Sequence, residues 1–211
     1  MTQDSVNPIW SPVVKGVLFF TGCYIALALL GAWYTRNIEF LFYIGVMFVI
    51  GPMVAWLHSR VRLSPGALWC LSVWGLLHMA GGLMPVPAGW PINGTKAVLY
   101  SLWLIPDFLK YDHVVHAFGF GVTTWVCWQG LKAAVRPGHT LRPTFGVLLI
   151  CVAAGMGFGA LNEIIEFIAT LLVPNTNVGG YINTGWDLVS NFAGSVITAI
   201  LLRFHGRTGS M

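Results

Sequence analysis

Residues 145–172 read FGVLLICVAAGMGFGALNEIIEFIATLL. The run exceeds the roughly 20 apolar residues that carry a helix across a bilayer. Its only charges are Glu163 and Glu166, three residues apart and so on one helical face. Five more segments of membrane length flank it, at about 13–34, 38–57, 66–84, 112–134 and 184–203. Together they predict an all-α, polytopic membrane helix bundle with six transmembrane helices, a single integral membrane domain over 1–211. Composition agrees: 56% of the 211 residues are hydrophobic and 9% are charged, against about 25% charged in soluble domains. Disorder, a coiled coil and an ordinary cytosolic enzyme are excluded. The net charge of +4 is no sign of nucleic-acid binding, because the basic residues lie in short loops where they set orientation.

The linker 85–111 is the long one. It opens Met84-Pro85-Val86-Pro87-Ala88-Gly89-Trp90-Pro91 and holds the apolar piece Ala97–Pro106, too short to span. An interfacial or re-entrant segment is expected there. Trp10, Trp33, Trp56, Trp69, Trp90, Trp103 and Trp186 fall near span ends or loops, as an aromatic belt requires. With six spans, Lys15, Arg60, Arg62, Lys132, Arg136, Arg142, Arg203 and Arg207 share one side, and Arg36, Lys96 and Lys110 the other. The excess predicts both termini in the cytoplasm. A seventh span at 97–108 would reverse the later loops and the excess with them. No cleavable signal pattern is expected, since the first apolar run is long and lacks a small-residue exit. Cys23, Cys70, Cys127 and Cys151 sit in apolar runs without paired spacing, which predicts packing residues and no disulfides.

Asp4 and Glu39 fall in flanks and Asp107 in the long loop, while His58, His139 and His205 fall in cytoplasmic flanks. The remaining titratable residues share one depth. His78 is near the outer end of the third span, and Asp112, His113 and His116 open the fourth. Glu163 and Glu166 are in the outer half of the fifth, and Asp187 is early in the sixth. Spacing of three or four residues links Asp112 with His116, Asn162 with Glu166, and Asp187 with Asn191, so each set shares a helix face. Gly194, Ser195 and Thr198 continue the last stripe. Gly119 and Gly121, and the run Gly155-Met156-Gly157-Phe158-Gly159, would let helices approach closely.

Lys110 is placed only at the margin, so four carboxyl groups face at most three imidazolium ions. An unpaired acid in mid-membrane costs about 2.5–3.5 kcal/mol on insertion scales, so the cluster calls for protons or a metal. His and carboxylate residues on facing helices are how bundles hold metals, and this donor set suits a divalent Zn, Mn or Fe. His113, His116, Glu163 and Asp187 are the candidate ligands, and Glu166 and Asp112 the candidate catalytic groups. His78, Asn162 and Asn191 are supporting residues. Two other readings stay open: a hydrogen-bond network that only locks helices together, and a proton or ion pathway. The apolar inner halves of the last three spans speak against conduction.

At these residues the chain resembles the YjdF-like inner-membrane proteins, a bacterial group. The matching pieces are Leu77-His78-Met79-Ala80-Gly81-Gly82, Tyr111-Asp112-His113-Val114-Val115-His116, Asn162-Glu163-Ile164-Ile165-Glu166 and Trp186-Asp187-Leu188-Val189-Ser190-Asn191. The last three also resemble the wider VanZ-like pattern, matched by Asp112, His116, Glu163, Asp187, Asn191 and Gly194. His113 stands where that pattern has Lys, Glu166 where it has Gln, and its Arg before the last helix is missing. The resemblance covers about 66–200 and implies a multi-pass protein of a bacterial inner membrane acting at the envelope. Glycopeptide resistance, with which VanZ-like members are associated, does not carry over without those basic partners. The expected function is a metal-dependent or acid–base enzyme on a lipid or lipid-linked substrate. The alternative is an accessory subunit of a membrane complex or a homo-oligomer. Membrane lipids are the expected partners and nucleic acid is not.

Overall fold

The computed structural model describes residues 11–136 and 138–208, with side chains as far as His205. Asp4, Trp10 and the side chain of Arg207 lie outside the described residues. Six helices account for most of the chain: α1 (Pro12–Tyr34), α2 (Ile38–Val61), α3 (Pro65–Leu83), α4 (Tyr111–Ala134), α5 (Phe145–Leu172) and α6 (Tyr181–Thr208). Their starts follow local chemistry. Ser11 Oγ accepts from Val14 N and Ser64 Oγ from Ala67 N, each at 3.3 Å and each followed by proline. Asn37 Oδ1 accepts from Phe40 N at 3.1 Å. These side chains satisfy amide groups that the helix itself leaves unpaired. Helix α2 runs four residues past the expected 57 and stops where Arg62 turns left-handed (φ 58°), its amide donating to His58 O. Helix α6 starts three residues before the expected 184, drawing Asn183 onto the same helix as Asp187.

Five helices, α1, α2, α3, α5 and α6 as far as His205, are long and apolar enough to cross a membrane. Helix α4 is less apolar, and its setting explains why. It packs against α3, α5 and α6 and buries His113, His116 and Thr124 along with Val115, Phe120 and Trp128. A helix enclosed by other helices meets little lipid, so polar residues on it cost less. The contact between α4 and α6 is very close. A Cβ added at Gly194 would run into the carbonyl oxygen of Ala117, and one at Gly121 would come within 3.1 Å of Gly194 O. On α5, Gly155 faces Thr124 and Ser195, and Gly159 faces Asn191, while Gly157 meets nothing within 4 Å. Alternate glycines of the run therefore point to the helix interface.

The 85–110 linker contains no long helix. It has one 3₁₀ turn at Leu99–Ser101 and an antiparallel hairpin, β1 (Trp103–Ile105) with β2 (Leu109–Lys110), whose turn carries Asp107 at φ 57°. Ala97–Pro106 is thus no re-entrant helix. Pro85, Pro87, Pro91 and Pro106, with Gly89 and Gly94 at positive φ, make a continuous helix unfavourable. Isolated bridges Pro85–Val98 and Ile92–Leu102 fold the segment into a cap. Glu39 pins it. Expected in a flank, this residue is 3% exposed. It accepts from Lys96 Nζ (3.2 Å) and from Asn177 N (2.8 Å to Oε2), tying the start of α2 to the cap and to the α5–α6 loop. At the opposite end, Ser64 N donates to Gln129 Oε1 (2.7 Å) and Arg203 Nη1 to Pro143 O (2.7 Å).

The glycine contacts predict a pair of outcomes. Gly194→Ala should lower the thermal stability of detergent-solubilised protein, by about 1–3 kcal/mol for an overpacked contact. Gly157→Ala should leave the melting temperature unchanged.

Candidate functional site: a His–carboxylate cluster on α4, α5 and α6

His116 is the centre of the site. It is one helical turn into α4, 5% exposed, and held where α5 and α6 converge. Its Nδ1 lies 3.0 Å from Asn191 Oδ1. A carbonyl oxygen only accepts, so the proton of this contact sits on Nδ1, and Nε2 is left with either a lone pair or a second proton. That nitrogen faces two carboxylates, Asp112 Oδ1 at 3.5 Å and Glu166 Oε1 at 3.9 Å. Glu163 Oε1 lies 3.7 Å from Nδ1. Ligand-capable atoms of Asp112, His116 and Asp187 all fall within 4.8 Å of one another, as do those of His116, Glu163 and Glu166. Two acidic sets from three helices therefore share one imidazole.

The supporting amides lie where helical spacing puts them. Asn162 Nδ2 donates to Glu166 Oε1 at 2.8 Å, and Asn183 Nδ2 to Asp187 Oδ2 at 2.6 Å. Among the described residues, both oxygens of Glu163, Asp187 Oδ1 and Asn191 Nδ2 are buried without a hydrogen bond. Asp187 and Asn191 are fully buried. Buried polar groups of this kind are costly to leave unpaired.

Lys110 enters the site after all. Its side chain is buried rather than marginal, reaching Asp112 Oδ2 (3.4 Å) and donating to Asn183 Oδ1. Four carboxyl groups thus have one lysine among them. His113, by contrast, stands apart from both sets. Its Nδ1 accepts from Lys110 N (3.3 Å), its ring lies over Trp186 (centroids 6.0 Å apart), and Nε2 has no partner among the described residues. With the Nδ1 lone pair used by an amide, neutral His113 has no free lone pair to offer a metal. His78 is further out, ringed by Phe40, Tyr43 and Tyr100. Burial, with Asp112 and Glu166 nearby, pushes the Tyr100 phenol well above its ordinary range. It stays protonated and is hydrogen-bonded to His78 Nδ1.

A cavity of about 450 Å³ leads to the site. Glu39, Tyr100, Lys110, Asp112, His113 and Glu166 are on its wall, with His116 and Asp187 behind them. Away from the cavity the polar stripe closes. Ser195 Oγ on α6 donates to Phe120 O on α4 (3.4 Å), tying the two helices, while Thr124 Oγ1 donates to the same carbonyl within α4 (2.8 Å).

Asn183 could have been found by sequence spacing, because it is four residues before Asp187. Tyr100 could not, since its approach to His78 depends on how the cap folds. The Lys110–Asp112 pair predicts coupling. Lys110→Met and Asp112→Asn should be non-additive in unfolding free energy by about 0.5–3 kcal/mol, with the double variant less destabilised than the sum of the singles.

Comparison with known proteins adds one assignment. No curated protein and no solved structure matches the chain. Residues 16–208 match the model of a family described as "Predicted membrane protein (DUF2238)". That match runs from the first turns of α1 to the end of α6, and the chain therefore belongs to the DUF2238 family of predicted membrane proteins.

Proposed function

We propose that the chain is a metal-dependent enzyme of a bacterial inner membrane, acting on a lipid or lipid-linked envelope substrate. The observation that carries this reading is His116 Nε2 facing the Asp112 and Glu166 oxygens at 3.5 and 3.9 Å. A lone pair and two acceptors repel unless a proton or a cation lies between them. Four-coordinate zinc with bonds of about 2.1 Å would hold its ligand atoms about 3.4 Å apart, close to the 3.5 Å between His116 Nε2 and Asp112 Oδ1, and Asp187 offers an atom within 4.8 Å of ligand-capable atoms on both residues. His116, Asp112 and Asp187 are the ligands, and Asn191 fixes the His116 tautomer that presents Nε2. Among the described residues Lys110 is the one lysine beside the four carboxyl groups, an imbalance that a divalent cation would offset.

Bound there, such an ion would supply Lewis-acid activation of a water or a substrate oxygen. Glu166, held by Asn162 and open to the cavity, takes the proton as general base. Glu163 supplies a second acidic group on the far side of His116. His113 lines the entrance as a polar contact for substrate. The same residues carry the YjdF-like and VanZ-like resemblance, which supports action at the envelope. The amide contacts of Asn162 and Asn183 to Glu166 and Asp187 favour one other reading, a purely structural network.

All six helices span in this reading, α4 being shielded by its neighbours. The Ser64–Gln129 and Arg203–Pro143 contacts gather the Arg-rich loops at one end, which supports cytoplasmic termini and a site in the outer leaflet.

Two measurements test these proposals. Protein purified without chelator should hold about one divalent metal per chain by elemental analysis. His116→Ala should abolish binding, and Asn191→Leu should weaken it about 10–100-fold. Less than about a tenth of a metal per chain in a preparation soaked with Zn or Mn would leave the structural network as the reading. For topology, Thr95→Cys in a cysteine-free background should react with an impermeant maleimide on intact cells, and His139→Cys only after lysis. The reverse pattern would invert the bundle.

A further inference from the structure

Helix α2 stands away from α3, and a second cavity of about 410 Å³ opens between α1, α2 and α3, with α5 behind it. Its wall is almost wholly apolar, with Val17, Val46, Ile50, Val54, Leu68 and Leu71 prominent. Of the hydroxyls that line it, Thr21 Oγ1 and Ser72 Oγ hydrogen-bond to each other and Ser59 Oγ donates to Trp56 O, both at 2.6 Å. Water gains little in such a space, because it needs several polar partners. Along α2 the cavity runs from Tyr43 to Ser59, which is about 24 Å at 1.5 Å per residue. That is most of a hydrocarbon core of about 30 Å. The volume spread over this length makes an elongated slot.

One end of the slot meets the site. Tyr43 and His78 line both this cavity and the polar one, and Asn162, which holds Glu166, also lines the slot. An apolar slot and a polar chamber joined at shared residues match an amphiphile with a long chain and a polar head. We propose that the slot is an acyl-chain site for a membrane lipid, whose head enters the polar cavity beside Asp112, His113 and Glu166. Only the chemistry at the head rests on the metal-dependent reading above. The chain site rests on shape and continuity.

The two shared residues then act as a threshold. The Tyr43 and His78 rings pack edge to face with centroids 5.5 Å apart, and Tyr100 holds His78 from the cap side. A chain entering from the bilayer passes between α2 and α3, and its head is drawn past these rings by the polar wall.

The test uses the full chain in vesicles of phosphatidylethanolamine and phosphatidylglycerol, with a trace of phosphatidylethanolamine carrying a diazirine at its acyl end. After irradiation, adducts should concentrate on Val54 and Leu71 relative to Phe19 and Leu27, which are 75% and 70% exposed on the outer face of α1. Gly51 lines the slot and has open space at its Cβ. Gly51→Trp should therefore place a bulky ring at the slot wall and cut slot labelling about tenfold. Gly45→Trp, on the same helix with open space but off the slot wall, should leave labelling unchanged, and Ala55→Phe repeats the filling at a second position. Even labelling over all outer faces, or slot labelling indifferent to Gly51→Trp and Ala55→Phe, overturns the chain site. Slot labelling retained in a protein that binds no metal keeps the lipid site and removes only the catalytic reading.

Discussion

Four carboxyl groups packed around one imidazole, with a single lysine beside them, are the constraint on which the rest of the bundle depends. Carboxylates in a low-dielectric interior repel each other and lose hydration. Helices α4, α5 and α6 must therefore come close enough for side-chain amides and His116 to reach every acid. Close approach in turn requires small residues. Gly194 lets α6 rest on the Ala117 carbonyl, and Gly155 and Gly159 admit Thr124, Ser195 and Asn191. The glycine seams and the acidic cluster are two parts of one solution.

The outer elements serve that core in different ways. Helix α3 brings His78 to the edge of the cluster. The folded cap brings Tyr100 and Lys110, and Glu39 fastens the cap to α2 and to the loop before α6. Helix α2 is fixed at this end but leaves a gap along its length. That gap is the apolar slot, so one helix both closes the polar chamber and opens a path to the bilayer.

Much of the architecture was readable from residue order. Helix α5 has the bounds expected from hydropathy, 145–172, and α1, α3 and α4 lie within a residue of theirs. Spacing of three or four residues also placed Asp112 with His116 and Asn162 with Glu166, because helical period alone puts such pairs on a face. The cap was not readable in this way. Its fold depends on Pro85 pairing with Val98 and Ile92 with Leu102, contacts with no periodic signature. The same limit hid Lys110, whose side chain turns inward only because β2 delivers it beside Asn183.

Sequence by itself determined that this chain is a set of apolar helices in which four of seven acids and three of six histidines fall toward the same helix ends. Hydropathy and helical period are local properties, and they suffice for that. Tertiary structure decided which of those residues meet. It put His116 rather than His113 among the carboxylates, because Asn191 takes one nitrogen of His116 and leaves the other facing Asp112 and Glu166, while the Lys110 amide occupies His113. It also opened the slot beside α2. Both outcomes depend on the rotation and separation of whole helices, which are set by contacts between residues far apart in the chain.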